Sequence, residues 1–334
     1  MTSTHEAIPP STAPHRPKAL GRFAARFAAF VIWIGVVGWA LAALPPSKRE
    51  VPYLSAWQDK KARLWTTDQP KVVLVGGSNV AFGLSGRTIS KHVDRPVVNL
   101  GLHFGLGLTP VLREVCETLK PNDVVIVSPE YEFFLASSGS GSVVPTMRMH
   151  VDETFGKPSI SERLSETPIR TVLAFRNAGD LLQTALNDTL GRSSSGLESQ
   201  IFTRDAFNEF GDMVAHRGRP SLGPVALSRL HQWELDDAVI REIVRFRSDA
   251  ESVGASVVMI PPPLDRESFS NRRPLIEAVD RRLADAGVGF AWSPRDSVVE
   301  SSEVFDAPYH LIGTANDRRS IRLAEWITKG GVSD

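Results

Sequence analysis

Three short segments of the chain gather residue types that can do chemistry. The first is Gly76-Gly77-Ser78-Asn79, which directly follows the apolar run Lys71 to Val75 and leads into a helical stretch. The second is Val97-Val98-Asn99-Leu100-Gly101, running on into Leu102-His103-Phe104-Gly105. The third is Phe305-Asp306-Ala307-Pro308-Tyr309-His310-Leu311, near the C-terminus. A serine on a tight strand-to-helix turn sits at the carboxyl end of a strand, where open α/β sheets bind their ligands. Glycines let the backbone turn sharply there, and nearby N–H groups can face a developing oxyanion. A hydroxyl becomes a useful nucleophile near neutral pH only beside a base, a task that suits imidazole. The Gly-Gly-Ser turn has two other readings, a phosphate cradle and a plain turn. Neither G-x-x-x-x-G-K-[ST] nor G-x-G-x-x-G is present to support the cradle.

Strands and helices must position these segments. Candidate strands are Lys71 to Val75, Pro96 to Leu100, Asp123 to Ser128, Ala255 to Ile260 and Val288 to Trp292. Most are short and rich in Val or Ile, as strands buried on both faces of a parallel sheet should be. Helical patterns lie at Leu108 to Leu119, Glu234 to Val253, Pro274 to Ala286 and Asp317 to Lys329. This alternation predicts an α/β domain over residues 51–334, with a mostly parallel sheet of about five strands covered by helices. The stretch from about 135 to 230 interrupts the rhythm. It opens with a Ser/Gly run at Ser137 to Ser142, holds a helical pattern near Arg170 to Leu186 and a flexible run at Arg192 to Gly196, and reads as an insertion over one sheet edge.

Ahead of the domain, Phe27 to Leu44 gives eighteen residues without a charge, enough to span a bilayer. Arg16, Lys18, Arg22 and Arg26 precede it, so residues 1–26 are expected in the cytoplasm, 27–44 in the membrane as a signal anchor, and the rest outside the inner membrane of a bacterium. Two other readings stay open: cleavage at Ala40-Leu41-Ala42, or a buried helix of a soluble fold. Lys+Arg and Asp+Glu both number 38, and no basic stripe interleaved with aromatics relieves that balance, so nucleic acid is not expected as a partner. The single cysteine, Cys116, cannot form an internal bridge and reads as a small buried hydrophobe. No His, Asp or Glu spacing such as H-E-x-x-H suggests a metal site.

In order, the three chemical segments resemble the SGNH (GDSL-type) hydrolase superfamily, over roughly Lys71 to Val127 and Ala255 to Trp326. The set GGSN, NLG, SPEYEFF and DAPYHL after one membrane segment is similar to SGNH-like proteins of bacterial envelope and exopolysaccharide modification. The resemblance implies a three-layer α/β/α fold, with Ser78 as nucleophile, His310 as general base and Asp306 as the residue orienting it. The N–H groups of Ser78 and Gly101 would form the oxyanion hole, and no cofactor or metal is required. It further implies a serine esterase or O-acyltransferase acting on a glycan or acyl-ester substrate, with other polysaccharide-assembly proteins as conceivable partners. A noncatalytic scaffold or carbohydrate-binding component is the other class.

Two features depart from the family pattern. Asp306 and His310 stand four apart, around Pro308, instead of as D-x-x-H, so the orienter of His310 is either Asp306 or a backbone carbonyl. The third strand runs into Ser128-Pro129-Glu130-Tyr131-Glu132 with no Asn. Glu130 then either points away, is protonated or binds a substrate hydroxyl, and Tyr131 is a stand-in donor. Asn79 and His103 complete the possible substrate contacts, with a structural or solvated role the alternative for His103. Phe207 to Asp212 reads first as a turn and second as a substrate-side segment. Pro261 to Pro263 would stiffen a loop at the pocket. Arg266, Arg272 and Arg273 read as a charged loop, either solvated or facing an acidic glycan.

Overall fold

The computed structural model describes residues 17–42, 51–136, 140–166, 168, 172 and 200–331. It opens with α1 (Pro17–Ala42), the short α2 (Val51–Leu54) and α3 (Ala56–Thr66). Strand β1 (Val72–Gly76) runs into α4 (Ser78–Gly83) and α5 (Gly86–Ile89), followed by β2 (Val97–Asn99), α6 (Leu108–Cys116) and β3 (Val124–Ser128). Then come α7 (Val144–His150), α8 (Ile160–Ser165), α9 (Asp237–Ser252) and β4 (Ser256–Met259). The chain ends on β5 (Leu264–Asp265), α10 (Arg266–Asp285), β6 (Val298–Val299) and α11 (Gly313–Trp326).

Strands β1 to β4 form one parallel sheet in the order β2-β1-β3-β4, with Val72 opposite both Val97 and Val124. Every residue of β1, β2 and β3 is buried, which is why each is an apolar run up to its last residue, Gly76, Asn99 or Ser128. Alternate residues feed two cores. Val73, Val75, Val125 and Val127 join Trp57 of α3, Val111 of α6, Ile243 of α9 and Val279 of α10. Val72, Leu74, Val124 and Ile126 join Val80 of α4, Ile89 of α5 and Leu323 of α11. Helices therefore cover both faces of the sheet, and each large apolar side chain so buried contributes about 1.5–3 kcal/mol.

Two expectations need correction. The fifth strand at Val288 to Trp292 shrinks to one parallel bridge, Met259 to Phe290, with Ala291 N–H donating to Met259 O at 2.8 Å. Gly289 weakens strand pairing there, and the turn beginning at Ser293-Pro294 cuts the segment short. Helix α10 begins at Arg266 and not at Pro274, because the Asp265 carboxylate accepts the N–H groups of Glu267 and Ser268 at 3.1 and 3.0 Å. Arg266, Arg272 and Arg273 are therefore helical, with Pro274 inside the helix. Arg266 and Arg273 pair with Glu300 and Glu277, while Arg272 is buried near Glu132.

Leu135 and Leu235 form an antiparallel bridge, flanked by hydrogen bonds from Ala136 N–H to Glu234 O and from Asp236 N–H to Phe134 O. This closes the base of the segment between β3 and α9. The expected helix near Arg170 to Leu186 and the run at Arg192 to Gly196 lie outside the described residues, residue 172 excepted. Helix α1 has 26 residues, about 39 Å at the usual rise, and Phe23, Phe27, Phe30, Val31, Ile32 and Trp33 are all exposed on it. The side chains of residues 38–42 lie outside the described set, and among the described residues no helix is long and apolar enough to cross a membrane.

Candidate active site

From β1 the chain moves to β2 on one side and returns to β3 on the other, so the sheet changes direction between β1 and β3. At such a switch point the carboxyl ends of neighbouring strands open a crevice. Ser78, first residue of α4, comes directly off β1, and β3 delivers Ser128 and Glu130 beside it. The glycines before Ser78 are required for close approach. A Cβ on Gly76 would fall 2.5 Å from Ser128 O, and one on Gly77 would fall 2.5 Å from Glu130 Oε1.

Glu130 points into the turn. Its Oε1 accepts the Ser78 hydroxyl at 3.2 Å and the Asn79 N–H at 3.1 Å, and the Ser78 N–H also donates to the carboxyl group. Burial pushes its pKa up to about 7. Hydrogen bonding from the Asn79 amide opposes that shift, and the neighbouring Glu132 reinforces it.

His310 comes from the turn before α11 and is buried. Its Nδ1 lies 2.6 Å from Asp306 Oδ1, so the carboxylate does hold the imidazole despite the four-residue spacing. The turn makes this reach possible, with His310 N–H donating to Ala307 O at 2.9 Å and Phe305 N–H to His310 O at 2.7 Å. Because a carboxylate only accepts, Nδ1 carries the hydrogen and Nε2 is left as the acceptor. The ring stacks on Phe82 at 4.0 Å and 5°. Phe82 lies four residues beyond Ser78, so the helix that opens on the serine also carries the ring under His310. Among the described residues no hydrogen bond joins Ser78 to His310; the serine hydroxyl points to Glu130.

Gly101 is tightly packed, and its amide is engaged within the fold. Its N–H donates to Asn99 Oδ1 at 2.9 Å, and a Cβ there would fall 2.4 Å from Ala81 N. It serves as a close-packing point between β2 and α4. Asn99 in turn donates to Leu84 O and to Asp212 Oδ1, each at 3.1 Å. The fully buried Asp212 also accepts Gly86 N–H at 2.6 Å, Arg87 N–H at 3.0 Å and the Asn208 amide at 3.1 Å. The Phe207 to Asp212 segment is thus a turn that clamps α5 and β2. Lys60 of α3 closes the network, donating to Asn99 O at 3.0 Å and to Gly211 O. Burial drags its pKa down to about 7 against the pull of Asp212.

The other expected contact residues are placed as follows. Asn79 is fully buried and cross-links the turn, accepting Gly77 N–H at 3.0 Å and donating to Ser128 O at 2.9 Å. His103 Nδ1 accepts Gly105 N–H at 2.9 Å, and its ring meets Tyr53 edge-on. Tyr131 is buried with its hydroxyl unbonded among the described residues, and burial raises its pKa further from ionisation. Pro261 to Pro263 are buried, with Pro261 O accepting Arg319 Nη2 at 3.0 Å. Arg319 also donates to Ser128 Oγ at 3.0 Å, behind Asn79.

Phe82, Lys60 and Tyr53 escaped sequence reasoning. Tyr53, whose hydroxyl donates to Leu102 O at 2.6 Å, lies in the fields of both Asp306 and Glu130. No local signal marks these three residues, because each gains its meaning from a segment far away in sequence. Among the described residues no group of three or more His, Cys, Asp or Glu could hold a metal ion. No family model, curated protein or solved structure matches the chain.

Proposed function

We propose that the protein is a membrane-anchored serine esterase or O-acyltransferase of SGNH type, acting on ester-linked acyl groups of an envelope or exported polysaccharide. Ser78 attacks the acyl carbon, an acyl-Ser78 intermediate forms, and the alcohol departs. Water resolves the intermediate in hydrolysis, and a sugar hydroxyl resolves it in transfer. His310, with Nδ1 engaged by Asp306, offers Nε2 for proton exchange with the reacting oxygens. The observation supporting this reading is that a serine stands on the strand-to-helix turn at the sheet's switch point while a carboxylate-held histidine stacks on Phe82 of the same helix. Anchoring is supported by the uncharged run Phe27 to Leu44, the basic residues before it and the exposed apolar side chains of α1. The test is labelling of the full chain with a fluorophosphonate probe. Wild type is expected to label and Ser78→Ala to lose the label. A C-terminal reporter enzyme active only in the cytoplasm would overturn the topology.

A second reading, a noncatalytic scaffold or carbohydrate-binding component of a polysaccharide-assembly complex, is favoured by one observation. Both expected oxyanion donors are engaged internally, the Ser78 amide by Glu130 and the Gly101 amide by Asn99. A folded wild type that fails to label in an accessible crevice would select it.

A further inference from the structure

We propose that Glu130, and not His310, takes the proton from Ser78 in the acylation step; the proposal rests on Ser78 being the nucleophile. A general base is identified first by hydrogen-bond reach to the proton it removes. The Ser78 hydroxyl donates to Glu130 Oε1 at 3.2 Å, whereas no hydrogen bond joins it to His310 among the described residues. The contact is built in by the fold. Glu130 comes off β3 directly beside β1, its Oε1 is fixed by the Asn79 amide at 3.1 Å, and the absence of a side chain on Gly77 makes room for it.

The groups around Glu130 suit a base working near neutrality. From α4 it faces the Ser78 and Asn79 amides, which favour its ionised form. Burial and Glu132, on its own segment, favour the protonated form, and the balance lies at about 7. Tyr53 from α2 and Tyr309 from the His310 turn also lie in its field, and burial keeps both phenols protonated. Near neutral pH a substantial fraction of Glu130 is thus ionised and able to accept a proton.

The step balances without another reactant. The Ser78 Oγ–H bond breaks as Oγ bonds to the acyl carbon, and the proton moves to Glu130 Oε1. The carbonyl electron pair shifts to oxygen. When it returns, the bond from the acyl carbon to the alcohol oxygen breaks and Glu130 hands the proton to that alcohol. His310 Nε2 then takes the proton of the water or sugar hydroxyl that attacks the acyl carbon, and as the bond from that carbon to Ser78 Oγ breaks the proton passes to Oγ, restoring the serine. Two bases therefore serve two half-reactions.

Rapid mixing of the full chain, in mild detergent, with p-nitrophenyl acetate separates the halves. Wild type is expected to give a nitrophenolate burst whose rate rises with pH through a midpoint near 7. Glu130→Gln keeps an oxygen able to accept the Asn79 amide, and its burst is expected to slow by at least about 100-fold. His310→Gln is expected to keep the burst and its pH midpoint, then stall as the acyl-enzyme. A burst from Glu130→Gln at or above the wild-type rate overturns the proposal and makes Glu130 a plug of the crevice. Should Glu130→Gln fail to fold, the pH profile of His310→Gln decides: loss of its burst or of its midpoint makes His310 the base and overturns the proposal. A wild type that gives no burst removes the nucleophile assignment itself, an outcome separate from those two.

Discussion

The imidazole of His310 lies face to face on the ring of Phe82, with centroids 4.0 Å apart and planes within 5° of parallel. Phe82 is fully buried and is backed by His216 at 4.8 Å and Phe305 at 6.4 Å, so the plate under His310 is rigid. Replacing Phe82 by Leu roughly keeps core volume but removes the flat surface. We expect a stability loss of about 1–2 kcal/mol by urea unfolding, with ester turnover falling more than the folded fraction does. Turnover that tracks the folded fraction alone would mean the stack does not position His310.

Asp306 fixes which imidazole nitrogen faces the crevice. Asp306→Asn keeps the shape but can present an N–H to Nδ1 and reverse the tautomer, a change that is severe in Ser-His-Asp triads. The expected outcome is a loss of turnover of at least about 100-fold, with an unfolding midpoint close to wild type. A small loss would return the orienting role to a backbone carbonyl.

The strands were legible because burial on both faces demands apolar runs rich in β-branched residues, and Val72 to Val75 and Val124 to Val127 are apolar throughout, with Leu74 alone not β-branched. The place of Ser78 on a strand-to-helix turn was visible in the sequence, and the Asp306–His310 pair expected from the resemblance is brought together by its turn. The direction of Glu130 was not, since it depends on β3 lying beside β1, a neighbourhood that no local pattern encodes. Lys60 sits in the run Asp59-Lys60-Lys61-Ala62-Arg63, which reads as a solvated helix face. It is buried because two carbonyls from distant turns, Asn99 O and Gly211 O, receive its ammonium group. The oxyanion role of Gly101 is implied by the resemblance, and sequence alone does not tell whether a glycine stands there for its N–H or for its missing side chain.

That last distinction is measurable. In Gly101→Ala the new methyl would press on Ala81 N at 2.4 Å and Val80 Cβ at 2.7 Å, both in the body of α4. Overpacking of this kind costs about 1–3 kcal/mol, so the urea midpoint should fall and any activity loss should follow it. An unchanged midpoint with lost activity would instead mean that the Gly101 N–H leaves Asn99 during the reaction and serves the oxyanion.

The pH dependence of stability isolates the two buried groups with pKa values near 7. Burial lifts Glu130 from 4.5 to about 7, so between those values the folded chain keeps a proton that the unfolded chain has lost. Its contribution is full below pH 4.5 and vanishes as pH rises through 7, a fall of about 3 kcal/mol. Lys60 moves the other way, from 10.5 down to about 7 through burial, opposed by Asp212. Between pH 7 and 10.5 the unfolded chain holds the extra proton, so the Lys60 contribution is full above 10.5 and is lost as pH falls through 7. His216, whose pKa burial lowers to about 4, adds a rise over pH 4 to 6.5 that opposes the Glu130 fall, so Glu130 is read by difference. The urea midpoint of wild type less that of Glu130→Gln should fall from pH 5 to 7, while both proteins keep the rise beyond pH 7. A variant curve parallel to wild type from pH 5 to 7 would mean that Glu130 is already ionised in the folded protein at pH 5, and the base would then have to be sought at His310.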